Sequence, residues 1–70
     1  MKIIETKKDW AIIMIEDFYM IQHIDSKEYL GGTGILTASK NINSKKNWKL
    51  DNLETAQKRL SFLAREMEGL

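Results

Sequence analysis

The first 24 residues of the chain consist of apolar runs separated by short polar breaks. The segment 2–8 carries two adjacent isoleucines, and the longer runs Trp10–Ile15 and Phe18–Ile24 follow it. Both longer runs are rich in isoleucine and aromatic residues, which favour a pleated, buried strand. The pattern therefore predicts a first short strand, a turn at 7–9, and then a β-hairpin.

The break at Glu16-Asp17 is a poor two-residue turn, because type I′ turns need positive φ and prefer Asn-Gly or Asp-Gly. We therefore expect a four-residue loop or a distorted turn there. A rival interpretation is one helix over Asp9–Ile24, since Asp9, Glu16 and His23 recur every seven residues. The five isoleucines and three aromatic residues in this segment argue against that helix.

The middle of the chain is punctuated by turn-forming residues. Residues 25–28 (DSKE) predict a turn, and the glycine cluster at 31–34 (GGTG) predicts a hairpin turn or bulge. Ile35–Ala38 resembles another short strand, and residues 39–47 form a polar, basic loop. The short, mainly apolar segment Trp48–Leu50 fits an edge strand.

From residue 51 the pattern changes to that of an amphipathic helix over Asp51–Glu68. Asp51 is the expected N-cap, Glu54 its capping-box partner, and Gly69 the stop. Phe62 lies roughly 140° from the centre of the apolar stripe, so its place on the polar side needs a separate explanation. The stripe itself follows i, i+3, i+4 spacing and comprises Leu53, Ala56, Leu60, Leu63, Ala64 and Met67.

Together these elements predict an α+β fold, in which a small antiparallel sheet of about three to five short strands packs on one C-terminal helix. Strands fall within residues 2–50 and the helix at 51–68. The length of 70 residues fits a single domain, residues 1–70, with no linker or repeat.

The hairpin would be apolar on both faces, because strand alternation divides its apolar residues between them. One helix covers only one face, and large exposed apolar patches mark contact sites. Unless residues 39–50, with Trp48 and Ile42, fold over the second face, we expect self-association or a protein partner. A two-residue connection would place Ile15 with Phe18, Ile13 with Met20 and Ala11 with Gln22 on one face, and Met14 with Tyr19, Ile12 with Ile21 and Trp10 with His23 on the other.

The amino-acid composition excludes some structural supports and some kinds of partner. The chain has no cysteine and a single histidine, so neither a disulfide nor a structural zinc site is expected. A small domain without these supports gains stability from oligomerisation or a bound partner. The net charge of +1 gives no global field for nucleic acid or membrane. We expect no signal peptide, no membrane span and a cytoplasmic location.

No motif predicts an enzyme, a cofactor or a metal site. The glycine cluster is followed by a strand-like segment, whereas a phosphate loop needs a helix and a Lys-Ser/Thr pair there. His23 has no evident nucleophile beside it, and the carboxylates lack metal-ligand spacing. His23 is interpreted as a cross-strand neighbour of Trp10, and Glu16-Asp17 as a solvated hairpin tip.

The sequence thus favours a non-enzymatic protein-binding or self-associating module. Small size and composition suggest an accessory protein of a phage or mobile element, such as an inhibitor of a host enzyme. The alternative is a DNA- or RNA-binding protein, because lysines with an interleaved aromatic residue suit phosphates and bases. The candidate protein interface is Trp10, Ile12, Met14, Tyr19, Ile21 and Phe62; the candidate nucleic-acid contacts are Lys40, Lys45, Lys46, Trp48 and Lys49.

Overall fold

The computed structural model describes residues 1–31, 40–45 and 47–66, and these contain three strands and one helix. Strands β1 (Lys2–Lys7), β2 (Trp10–Ile15) and β3 (Phe18–His23) form an antiparallel sheet in the order β1-β2-β3. Helix α1 (Leu53–Glu66) packs against one face of this sheet. The predicted α+β class is confirmed. The predicted strand Ile35–Ala38, most of the glycine cluster, and the helix end at residues 67–69 lie outside the described residues.

The β2–β3 hairpin has the six cross-strand pairs that a two-residue connection predicts, from Ile15 with Phe18 to Trp10 with His23. Of the two expected connections the four-residue loop is therefore wrong, and so is the rival helix, whereas the turn does depart from type I′, because Glu16 but not Asp17 has a positive φ. Glu16 takes a φ of 53° as the first turn residue. Left-handed backbone costs a non-glycine residue about 1–2 kcal/mol, which the ladder and the side-chain pairs on both faces offset.

The β1–β2 hairpin repeats this arrangement at Lys8-Asp9, where Lys8 has a φ of 57°. Its register shifts between Ile3 and Glu5, so Ile4 is the extra residue of a β-bulge. Ile3 pairs with Ile13, whereas Glu5 pairs with Ile12 on the helix side. The bulge thus lets Ile4 pack under the helix while Ile3 lies on the opposite face.

Helix α1 begins one residue later than the sequence pattern suggests. Asn52 Oδ1 accepts hydrogen bonds from the backbone N–H of Glu54 (2.7 Å) and of Thr55 (3.2 Å). Ala56 N–H also donates to Asn52 O (3.1 Å), the first bond of the helix. Asn52 is therefore the N-cap, and the predicted cap at Asp51 is wrong. Glu54 consequently stands at N2, one position too early for a capping box.

The helix side of the sheet forms the larger core cluster. Leu60 and Leu63 of α1 pack on Ile12 of β2 and Ile21 of β3, and all four side chains are at most 1% exposed. Trp10, Leu30 and Ala56 complete the buried set. The predicted apolar stripe is therefore the side of α1 that faces the sheet, and the helix covers the sheet face that carries Ile12 and Ile21.

The second face of the sheet is also buried, although no regular element covers it within the described residues. Ile13 and Met20 are 2% and 0% exposed, and Ala11 lies buried beside them. Tyr29 belongs to the same cluster, and Ile42 packs against it. The expected exposed sheet face is therefore wrong, because the irregular chain after β3 covers it. Of the two residues considered for this cover, Ile42 lies here and Trp48 lies on the helix side.

The same irregular chain protects the outer edge of β3. Leu30 N–H donates to Ile21 O (2.7 Å), and His23 N–H donates to Glu28 O (2.8 Å). Tyr19 and Leu50 exchange both backbone hydrogen bonds, at 2.7 and 2.8 Å. The predicted edge strand Trp48–Leu50 is thus reduced to one isolated bridge at Leu50.

Candidate helix-face interaction site

The exposed side of α1 carries an aromatic residue among cations. Phe62 is 42% exposed, although Leu60, Leu63 and Ala64 beside it in sequence are buried. Lys58, Arg59 and Arg65 share the exposed side with it. We call Lys58, Arg59, Phe62 and Arg65 the basic-aromatic band. It is the place in the described structure where a large apolar side chain is exposed on a helix.

Phe62 stands between two open grooves on this surface. The ring lines one groove with Thr55, Lys58 and Arg59. It also lines a second groove, whose walls include Lys58, Ser61 and Arg65. A partner side chain can therefore approach the ring from either side, with a cation nearby in both cases.

A third groove continues the band toward the β1–β2 turn. It is lined by Lys7, Lys8, Ser61, Ala64 and Arg65, and it shares Ser61 and Arg65 with the second groove. Lys7 is held in place there because its Nζ donates to Ser61 Oγ at 3.0 Å. The three grooves thus form one continuous surface from Arg59 to Lys8.

The cations at the other end of the band, Arg59 and Lys58, each make one contact with a neighbouring side chain. The Arg59 guanidinium lies 4.4 Å from the centroid of the Trp48 ring, a cation–π contact. Lys58 Nζ lies 3.4 Å from Glu54 Oε1 in an exposed i, i+4 ion pair. Exposed pairs of this kind contribute little to stability, so Lys58 can exchange Glu54 for a partner carboxylate at small cost.

The sheet residues proposed as an interface do not lie on the surface. Trp10, Ile12 and Ile21 are buried under α1, so their assignment to a contact surface is corrected. Strand alternation shows which residues share a face of the sheet but not which face the helix covers, so it does not distinguish these buried residues from exposed ones. Met14 and Tyr19 are half-buried, and of the predicted set Phe62 alone is exposed.

Asparagines hold the described part of the basic loop, residues 40–45 and 47, in place. Asn41 Oδ1 accepts from Asn43 N–H (3.0 Å), and the buried Asn47 donates through Nδ2 to Asn41 O (2.9 Å). Lys40, Lys45 and Lys49 are exposed, and Lys46 lies outside the described residues. The structure brings Trp48 against the core with Arg59 over its ring. A nucleic-acid base would have to displace that guanidinium to stack on the ring.

His23 is used structurally. Its ring meets Trp10 edge-on, with centroids 4.9 Å apart and planes at 80°. Its Nδ1 accepts from Ser26 N–H at 3.3 Å, which ties down the turn after β3. Among the described residues, no three His, Asp or Glu side chains come together as a metal site. No helix in that part of the chain has the length and apolar character needed to cross a bilayer.

Sequence reasoning singled out Phe62 but missed the cations around it. The sequence does contain a signal for two of these cations, since positions 58, 62 and 65 follow the i, i+4, i+7 spacing of one helix face. Lys7 and Lys8 gave no such signal, because only the folded β1–β2 turn brings them to α1.

Comparison with known proteins adds no assignment, since no protein-family model, curated protein or solved structure matches the chain.

Proposed function

We propose that this chain is a non-enzymatic module that binds another protein through the outer side of α1, with Phe62 as its central contact. One observation carries the proposal: Phe62 is 42% exposed among cations on a helix whose opposite stripe is buried. The domain core does not need this ring, since Leu60 and Leu63 already fill the space between helix and sheet.

The residue types in the band suit a protein contact. Aromatic and arginine side chains supply a large share of the binding free energy at protein interfaces, and truncating such a residue often costs at least about 2 kcal/mol. Arg59 is held against Trp48, so less conformational entropy is lost when a partner contacts it. The surrounding lysines provide a polar rim.

This proposal moves the partner surface from the sheet to the helix. Both sheet faces are covered over β2 and β3, so self-association through the apolar faces of this hairpin loses its basis, and a second copy would have to use the helix as well. The role of an inhibitor encoded by a phage or mobile element stays a prediction from size and composition. It would apply if the bound protein is an enzyme.

Site-specific photo-crosslinking tests the proposal. A photoreactive phenylalanine analogue at position 62 is expected to give one discrete protein adduct in cells of the source organism. The matched control places the same analogue at Thr6, which is exposed on β1 and faces away from the helix. The proposal is wrong if position 62 gives no adduct, or if both positions give the same set of adducts.

Nucleic-acid binding is the second candidate, because Lys40, Lys45 and Lys49 are all exposed on a loop that hydrogen bonds hold in place. Replacing Lys45 and Lys46 with Glu should then weaken binding and reduce the salt slope by about 0.9 per lost phosphate contact on duplex DNA. Fluorescence anisotropy over a salt series measures this. Binding that survives the double reversal excludes the loop.

A further inference from the structure

We draw no further inference here: the strongest candidate, the exposed side of α1 around Phe62, belongs to the surface already described, and nothing in the structure shows what covers it.

Discussion

At β2 and β3 the two faces of the sheet are buried to a similar extent by very different covers. On the helix side, Ile12 and Ile21 lie under the regular α1, at 0% and 1% exposure. On the other side, Met20 reaches 0% exposure next to Tyr29 and Ile42, which belong to irregular chain. An apolar sheet face therefore does not indicate a partner surface by itself. The exposed apolar ring, Phe62, lies instead on the polar side of the helix.

The two edges of the sheet differ in a similar way. The outer edge of β3 is paired with residues 28–30 and with Leu50. Within the described ranges, no segment pairs with the outer edge of β1, and Ile3 there is 62% exposed. Lys2, Lys7 and the bulge at Ile4 blunt this edge, since charges and bulges hinder the docking of another strand. Strand addition at β1 is thus a poor route to self-association.

The largest expected loss of stability comes from truncating one buried side chain under each cover. Leu60→Ala and Met20→Ala should each lower the free energy of unfolding by about 2–5 kcal/mol, because both side chains are fully buried. Urea unfolding followed by circular dichroism measures both losses, with the exposed Lys58→Ala as the control. A loss below about 1 kcal/mol for Met20→Ala alone would show that the irregular cover opens in solution.

This difference between the covers also explains what could be predicted from the sequence. Helix α1 and the α+β class follow from periodicity and strand alternation, which are local signals, whereas the β2–β3 pairs follow only if a two-residue connection is assumed. The cover of the second face could be predicted only in part: Ile42 is one of the two residues considered for it, whereas Tyr29 reaches that face through a turn with no apolar period. At the candidate site, Phe62 was visible as a break in the helix pattern, whereas Lys7 and Lys8 needed the tertiary fold.

A smaller effect should come from the asparagine that anchors the irregular cover. Asn47 is buried, and its Nδ2 donates to Asn41 O at 2.9 Å. Asn47→Ala would leave that carbonyl without this donor, at a cost of about 1–3 kcal/mol. Hydrogen exchange should show faster exchange near Ile42 and unchanged protection in α1. Asn43→Ala is the matched control, since Asn43 is exposed and the bond it makes to Asn41 Oδ1 uses its backbone N–H. Equal losses for the two variants would contradict the anchoring role.

The helix cap is the corresponding anchor of the regular cover. Asn52→Ala removes the oxygen that accepts from the N–H groups of Glu54 and Thr55, at a cost of about 1 kcal/mol. Asp51→Ala should cost only a few tenths of a kcal/mol, about the size of an exposed charge near a helix N-terminus. Thermal unfolding of the two variants compares the positions directly. The assignment of the cap to Asn52 is wrong if Asp51→Ala proves the more harmful change.

The smallest effect concerns the turn that assigns residues to the two faces. A one-residue slip of β3 against β2 would exchange the two apolar sets, and the turn at Glu16-Asp17 fixes the register with Glu16 at a φ of 53°. Glu16→Gly removes the left-handed strain but adds freedom to the unfolded chain, so a net gain of about 0.5–1 kcal/mol is expected. Asp17 is not among the residues with positive φ, so Asp17→Gly should give no gain and a small loss. Urea midpoints of the two variants measure the contrast. If Glu16→Gly loses as much stability as Asp17→Gly, the turn does not have this geometry.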